Sequence, residues 1–255
     1  MDATLRKIQA LAAKDFADLF KNPGVAASLV IPIGLVFMQS LLVGDATADV
    51  RAGSDEAAGF VISTLLQAGL CMTISMLGSM AVLYSLAEEK EKHTLRTLIL
   101  SNVSAGQILV SKAAVGLVAI VVVAAACFGV ICYEIPGVDI GLLPVYLLLT
   151  LVGALTVVIP SLVLGLACRD QMTASFYSVP TVLLALVPLF GAYNETAARV
   201  ALFAPTGGAA RLMDMAATGM FTWGDAMLPL AATAVWIGAG VVLFKVMYKR
   251  LSRDN

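Results

Sequence analysis

The stretch AAGFVISTLLQAGLCMTISMLGSMAVLYSLA, residues 57–87, decides the fold because its 31 residues include no charged side chain. A helix needs about 20 apolar residues to cross the hydrocarbon core of a bilayer. A helix that is apolar on every face must be buried in a large core or in lipid. The stretch therefore predicts a transmembrane helix that is long enough to tilt or to project from the bilayer.

The same pattern repeats along the rest of the chain. Only 13% of the residues are charged and 60% are apolar, whereas about 25% of the residues of an ordinary soluble domain are charged. Other charge-free windows lie at 22–44, 113–133, 140–168, 171–194 and 226–244. We therefore predict an all-α membrane protein, with one transmembrane domain over 1–255 and six transmembrane helices at 24–44, 59–86, 108–133, 142–167, 172–193 and 227–247.

The segment before the first span has the spacing of an amphipathic helix, which we predict over residues 3–21. Its apolar residues recur at intervals of three or four positions, and they are Leu5, Ile8, Ala12, Phe16, Leu19 and Phe20. Such a helix would rest on the inner surface of the membrane. The seven charged residues within 1–21 argue against a cleavable signal peptide, and Asn22-Pro23-Gly24 would turn the chain into the first span.

The placement of lysine and arginine predicts that both termini, and the loop between spans two and three, are cytoplasmic. With the N-terminus inside, most basic residues fall on the cytoplasmic side: Arg6, Lys7, Lys14, Lys21, Lys90, Lys92, Arg96, Lys112, Arg169, Lys245, Lys249, Arg250 and Arg253. Only Arg51, Arg199 and Arg211 fall outside. Because the opposite topology would reverse this excess, we expect a multi-pass protein with this orientation in the plasma membrane of a prokaryotic cell.

The outer segment at 195–225, before the last span, is too polar to cross the bilayer. Arg199, Arg211 and Asp214 divide it into apolar runs of 11 and 10 residues, and a span needs about 20. Pro205 interrupts it further. We expect short helices that either re-enter the bundle or lie at the membrane interface, and the sequence leaves both alternatives open.

The loop at 88–107, between spans two and three, is the most distinctive segment of the sequence. Acidic residues come first and basic residues follow, which suits the dipole of a helix, and Leu95 and Leu98 contribute a short apolar patch. Ser104 and Gln107 match a capping box that begins the next helix. The loop is either a solvated hairpin or a docking helix for a soluble partner, and its composition alone favours neither.

The run from Glu88 to Lys112 resembles the corresponding loop of ABC-2 type permeases, the membrane subunits of one class of ABC exporters. The family pattern is acid-x-acid, Thr-Leu, a further leucine, a small polar turn, and a helix ending in Gly-Lys. The matching positions are Glu89, Glu91, Thr94-Leu95, Leu98, Ser101–Ser104 and Ser111-Lys112. The sequence departs from the pattern at His93, where glycine is common, and at Ser111, which replaces the glycine before the lysine.

The resemblance implies a coupling helix that docks into a groove of a separate ABC ATPase subunit. The residues expected at this contact are Glu88, Glu89, Glu91, Lys92, Thr94, Leu95, Arg96, Leu98 and Ser101. It also implies a second permease chain, identical or related. The sequence contains no G-x-x-x-x-G-K-[ST] string to hold nucleotide phosphates, so we expect no enzyme activity in this chain, and we expect ATP and Mg²⁺ to bind the partner subunit.

Polar residues inside the spans could line a translocation path. They are Gln39 in span one and, on one face of span two, Thr64, Gln67, Cys71 and Ser75. Such residues should contact protein or water rather than lipid, and they either line the path or pack against neighbouring helices. Lys112, near the start of span three, is expected to snorkel to the membrane surface.

Several other classes of protein are disfavoured by the sequence. The net charge of −1 provides no basic field for nucleic acid. The single histidine and the four dispersed cysteines predict neither a metal site nor a disulfide framework. The acidic residues that flank the spans lie at their ends rather than deep in the bundle, which argues against a secondary transporter.

We therefore predict a permease subunit that moves an amphipathic drug, lipid or peptide outward by alternating access, while a partner hydrolyses ATP. Apolar walls with a few amides and hydroxyls suit an amphipathic molecule better than a bare ion. The alternative is a membrane-embedded sensor or assembly subunit without a role in export.

The predicted topology is tested by labelling single cysteines in a variant that lacks the four native cysteines. A membrane-impermeant maleimide added to intact cells should label Ser54→Cys, which lies in the predicted outer loop, and should not label Ser101→Cys. Both variants should react in permeabilised cells, which controls for reactivity. Reversed labelling in intact cells would overturn the orientation.

Overall fold

The computed structural model describes residues 3–50, 55–92, 94, 103–135, 138–193 and 195–251. Every regular element in this part of the chain is helical. Its α-helices are α1 (Ala3–Leu19), α2 (Pro23–Val50), α3 (Asp55–Met76), α4 (Val82–Glu91), α5 (Ala105–Glu134), α6 (Leu143–Ala167), α7 (Gln171–Leu186), α8 (Glu195–Ala201), α9 (Gly207–Ala217) and α10 (Trp223–Leu251).

Six helical stretches of the described residues are long and apolar enough to cross a bilayer. They are Pro23–Val43, Ala58–Glu91, Gly106–Glu134, Ile140–Ala167, Gln171–Gly191 and Trp223–Met247. Each overlaps one predicted span, so the prediction of an all-α membrane protein with six spans is confirmed.

One continuous helix forms the centre of the bundle. It consists of α3, a π-helical turn at Leu77–Ala81, and α4. α2, α5, α6 and α7 pack around it, and its largest fully buried side chains are Leu65, Leu66, Leu70, Ile74, Leu77, Leu83 and Leu86. The sequence predicted the length of this span but not the π turn, an arrangement that is rare and occurs often at functional sites.

The outer faces of the peripheral helices remain apolar and exposed. Leu42 on α2, Phe176 on α7 and Val235 on α10 are each more than two-thirds exposed. In lipid, apolar exposure of this kind has no cost, so helices associate through close packing and polar contacts. The polar contacts between helices therefore carry much of the information about how this bundle is assembled.

Two helices begin as the sequence predicted, and a third, α7, has a cap that the sequence analysis did not identify. Ser104 and Gln107 form the predicted capping box at the start of α5: the Ser104 hydroxyl accepts from the Gln107 backbone N–H, and the Gln107 side chain accepts from the Ser104 N–H. Asn22 Oδ1 accepts from the Gly24 N–H at 3.1 Å, where the chain turns into α2. Asp170 caps α7, and its hydrogen bonds from the Thr173 backbone N–H and hydroxyl lower the pKa of Asp170.

α1 packs one side against the bundle, a contact that its apolar stripe did not predict. Leu11, Asp15 and Leu19 are buried, and α1 packs on α5. Phe16 and Phe20, which belong to the predicted stripe, are exposed. A helix at a membrane surface contacts both lipid and protein, so its apolar stripe alone does not identify the side that packs against the protein.

The predicted outer segment contains two helices of different character. α8 packs on a 3₁₀ segment at Val187–Tyr193 and is largely exposed. α9 packs between α3, α6 and α10, with Met213 fully buried. α9 therefore packs within the bundle, whereas α8 lies at its surface.

The turn between α8 and α9 is bonded to three neighbouring helices. The Pro205 carbonyl accepts from the Thr156 hydroxyl of α6 at 2.7 Å, and the Phe203 carbonyl accepts from Trp236 Nε1 of α10 at 2.8 Å. The Thr206 hydroxyl donates to the Ala185 carbonyl of α7. These bonds satisfy backbone groups that lipid could not satisfy.

Substitution of Gly208 tests how closely α9 approaches α10. A Cβ at this position would collide with Thr233 Oγ1 and with the backbone carbonyl of Pro229. Because a backbone atom cannot rotate away, we expect Gly208→Ala to destabilise the protein by about 1–3 kcal/mol, measured as a lower melting temperature in detergent. Gly238→Ala on α10 is the matched control, since a Cβ there meets no atom within 4 Å. Equal melting temperatures for the two variants would contradict this packing.

Candidate functional site

Polar side chains gather at two places in the bundle. The first is the loop end, where α4 ends and α5 begins, close to α1 and the start of α7. The second is a cavity beside the first turns of α3. Because α3 and α4 are parts of one continuous helix, the two places lie at opposite ends of it.

A buried lysine organises the loop end. Lys112 Nζ of α5 lies 3.2 Å from Asp15 Oδ1 of α1, 3.2 Å from Glu89 Oε1 of α4, and 2.6 Å from Ser85 Oγ. The Lys112 side chain is only 1% exposed. The expectation that Lys112 snorkels to the membrane surface is therefore wrong, because its ammonium group points at two carboxylates inside the protein.

Two further side chains complete this arrangement, which we call the Lys112 cluster: Lys14, Asp15, Ser85, Glu89, Ser111 and Lys112. The Ser111 hydroxyl donates to Asp15 Oδ2 at 3.1 Å, and Lys14 Nζ lies 3.2 Å from Glu89 Oε1. The cluster contains two basic and two acidic groups, so its formal charge is balanced. It joins α1, α4 and α5, and a buried charge that is paired in this way is costly to leave without its partner.

The remaining acidic residues of α4 contact neighbouring helices. Glu88 accepts from Lys92 and, at 3.2 Å, from Asn22 Nδ2, which also donates to the Gln171 side chain of α7. Glu91 accepts from the backbone N–H of Gln171 at 3.1 Å. The end of α4 is thereby fixed to the α1–α2 turn and to the start of α7.

A cleft of about 340 Å³ opens at the loop end. Side chains of α1, α4 and α5 line it, together with Thr94. Thr94 Oγ1 also donates to the Glu89 carbonyl at 3.2 Å. The cleft therefore lies where the loop leaves α4, next to the Lys112 cluster.

The cavity beside α3 is larger, at about 750 Å³. It lies between α3, the 3₁₀ segment Val187–Tyr193, α8 and α9, and is lined by Phe60, Thr64, Gln67, Pro188, Gly191, Ala198, Arg199, Ala201, Leu202, Gly207, Ala210, Arg211 and Asp214. This volume is typical of sites for small molecules, which range over about 300–1,000 Å³. The walls combine apolar surface with a few polar and charged groups.

Asp214 of α9 is the centre of the polar wall. Its Oδ1 accepts from Ser63 Oγ at 2.6 Å and from Gln67 Nε2 at 3.4 Å, both on α3. Its Oδ2 accepts from Arg211 Nη1 at 2.5 Å. Gln67 Nε2 also donates to Ser63 Oγ at 2.9 Å. These bonds join α9 to α3 on one side of the cavity.

A family model described as ABC-2 family transporter protein matches residues 46–244, which is well over half of the chain. The chain belongs to this family. The resemblance seen in the loop is thereby confirmed, and the protein is a multi-pass permease subunit of an ABC transporter, for which the family implies an ABC ATPase partner. No curated protein matches the sequence.

The structure describes part of the predicted ATPase-docking set of the permease. Glu88, Glu89, Glu91, Lys92 and Thr94 gather at the loop end, where Lys92 and Glu91 are exposed and Glu89 is buried in the Lys112 cluster. The other four residues, Leu95, Arg96, Leu98 and Ser101, lie outside the described residues. The docking role of the whole set stays a prediction.

The predicted path residues of the permease separate into two groups. Thr64 and Gln67 line the cavity. Cys71 and Ser75 lie deeper on α3 and are fully buried: the Cys71 thiol contacts the Thr206 hydroxyl at 3.7 Å, and the Ser75 hydroxyl donates to the Met72 carbonyl at 3.1 Å. These contacts are those expected of helix packing, the alternative that the sequence left open.

Gln39 does not line this cavity. It lies on α2, and its Oε1 atom is buried and has no hydrogen-bond partner among the described residues. Its role in a path stays a prediction.

Sequence reasoning missed Asp15, Ser63 and the role of Asp214. Asp15 lies between apolar residues of α1 that pack on α5, and Ser63 precedes Gln67 by one helical turn. Asp214 was read only as a charge that interrupts an apolar run. An acidic residue one turn from a basic residue within an otherwise apolar segment, as in Arg211–Asp214, is a signal that could have identified a polar wall.

Removal of Lys112 tests the buried cluster. Lys112→Met should destabilise the permease by about 3–5 kcal/mol, because Asp15 and Glu89 would remain buried without a shared cation. The readout is the melting temperature in detergent. Lys92→Met is the matched control, since Lys92 also pairs with an acidic residue of α4 but is exposed, and it should change stability little. A Lys112→Met protein as stable as the Lys92→Met protein would contradict the proposed importance of the cluster.

Proposed function

We propose that this permease is the membrane subunit of an ATP-driven exporter that moves an amphipathic substrate outward by alternating access. A separate ABC ATPase would bind ATP and Mg²⁺ and hydrolyse the nucleotide. The observation that carries the proposal is the continuous helix Ala58–Glu91 of a chain in this family. It lines the cavity near one end and carries the acidic residues of the loop end at the other.

The loop at 88–107 would dock into the ATPase, and the contacts of α4 support a coupling role. Glu89 joins α4 to α1 and α5 through Lys112, and Glu91 contacts the start of α7. A displacement of the docked loop would therefore move several helices together rather than bend one loop. Rigid packed elements of this kind can carry coupling between distant sites.

The same helix offers a route from the loop end to the cavity. Gln67 and Ser63 contact Asp214 of α9, so a shift of α3 along its axis would change the polar wall of the cavity. The buried π turn at Leu77–Ala81 lies between the two ends. Alternating access requires such a shift to open the cavity to one side of the membrane at a time.

The assembly would contain two permease chains, identical or related, and two ATPase subunits. Apolar faces of α2, α7 and α10 are exposed in the single chain, and lipid or a second chain would cover them. The loop end would face the cytoplasm of a prokaryotic cell, and the cavity would lie toward the outer side, in agreement with the distribution of basic residues.

The docking assignment is tested by affinity purification in mild detergent. Leu95→Asp would place a carboxylate on the apolar patch of the loop, and Glu91→Lys would reverse a charge beside it. We expect each variant to insert normally and to lose most of the co-purifying ATPase subunit, quantified by mass spectrometry. Loss of transport-coupled ATP hydrolysis should accompany the loss of the partner.

Ile140→Asp is the control for the first variant because it makes the same type of change at an exposed position between α5 and α6. It should retain the ATPase. Normal recovery of the ATPase with both loop variants would contradict the docking role. If the unmodified chain brought down no P-loop protein even after crosslinking, the exporter proposal itself would fail, and a sensor or assembly role would replace it.

A further inference from the structure

We propose that the cavity between α3, α8 and α9 selects amphipathic substrates that carry an anionic head group. The inference rests on the proposed export function and specifies its substrate class. Arg211 lines the cavity together with apolar residues of α3, the 3₁₀ segment and α9, and its guanidinium group has more donors than Asp214 accepts from.

Arg199, Arg211 and Asp214 are the charged residues among the described residues that line the cavity. Asp214 already accepts from Ser63, Gln67 and Arg211, so its two oxygens are occupied by groups of the protein. A ligand that enters the cavity therefore meets an aspartate that is already hydrogen-bonded.

Arg211 retains the capacity to bind an anion. A guanidinium group has five N–H donors, and Asp214 accepts from Nη1 of Arg211. The side chain of Arg211 is 55% exposed, and it lines the cavity. Arginine binds carboxylate and phosphate through two parallel hydrogen bonds, which makes it better suited than lysine to recognise such groups.

The distribution of basic residues along the chain makes the position of Arg199 and Arg211 beside the cavity informative. The predicted topology leaves only three of the 16 basic residues on the outer side, because lysine and arginine accumulate on the cytoplasmic side. Two of those three line the same cavity. Topology does not require arginine there, so the placement points to local roles, which for Arg211 include the ion pair with Asp214 and, in this proposal, the binding of an anion.

The apolar walls define the other half of the substrate. Phe60 of α3, Pro188 of the 3₁₀ segment and Leu202 after α8 provide surface for an acyl chain or a ring system. A volume of about 750 Å³ accommodates a molecule of drug or single-chain lipid size. A carboxylate, phosphate or sulfate on an apolar body matches both halves of the cavity.

The test measures binding of three amphiphiles that share a dodecyl chain to the full-length permease in phosphatidylcholine nanodiscs. The probes are dodecyl phosphate, dodecylphosphocholine and dodecyltrimethylammonium, and binding to empty nanodiscs is subtracted. We expect dodecyl phosphate to bind at least about tenfold more tightly than the cationic probe, which is the loss expected for one charge-assisted hydrogen bond. Equal affinities for the three probes would overturn the proposal.

Variants of opposite sign separate a binding role from structural damage. Arg211→Gln should weaken binding of dodecyl phosphate about tenfold, whereas Asp214→Asn should strengthen it because the negative charge of the wall is removed. Arg169→Gln, an identical change at the other end of the bundle, should leave binding unchanged. A similar loss in the Arg211 and Asp214 variants would indicate general disruption and would overturn the assignment.

Two further measurements are needed. One identifies whether the anion comes from the bilayer, and the other separates a failure of this inference from a failure of the exporter proposal. If an anionic bilayer lipid is the natural occupant, phosphatidylglycerol nanodiscs should lower the apparent affinity for dodecyl phosphate by competition. An unchanged affinity would indicate an amphiphile that is not a bulk lipid, and both results support the head-group preference. Co-purification of an ATPase together with equal probe affinities would overturn only this inference, whereas absence of the ATPase would overturn the export function independently.

Discussion

The rest of the bundle depends on one interaction, the pairing of the Lys112 ammonium group with the carboxylates of Asp15 and Glu89. Helices in lipid gain no hydrophobic free energy by associating, so close packing and polar contacts decide which faces meet. A buried lysine with two buried carboxylates favours the arrangement of α1, α4 and α5 that pairs these charges, because separating the helices would leave a buried charge unpaired. This cluster thereby fixes the N-terminal helix and the beginning of the loop relative to the membrane spans.

The central helix extends this constraint across the bundle. Its middle is mostly apolar and is buried, with Leu70, Ile74 and Leu77 among its largest buried residues. Its charged and amide side chains lie near its ends, at Glu89 on one side and at Gln67, one turn after Ser63, on the other. The middle contacts other segments mainly through apolar surface, with thiol–hydroxyl contacts of 3.7 Å at Cys71 and Thr73, whereas the polar ends have partners that respond to a movement of the helix. The arrangement suits a helix that couples a docking surface to a cavity.

The sequence was sufficient to predict the parts of the fold that depend on local composition. Six charge-free windows predicted six spans, and Ser104 with Gln107 predicted the start of α5, because both signals lie within short stretches of chain. The partners of Lys112 lie on two other helices, and Asp214 reaches α3 from a segment almost 150 positions away. A pattern in one segment shows that a residue is polar but does not show which residue lies opposite, so the cluster and the cavity wall could not be predicted.

Lys112 and Arg211 both carry a positive charge, but they differ in burial and therefore in role. Lys112 is almost completely buried and contacts two carboxylates and a hydroxyl, so its ammonium group is already paired within the protein. Arg211 is half exposed, shares its nearest carboxylate with Ser63 and Gln67, and has more donors than Asp214 can use. A paired, buried charge can only hold helices together. A charge with unused donors beside a cavity can bind a molecule that enters, which is the physical reason to place structural coupling at the loop end and substrate recognition at the cavity.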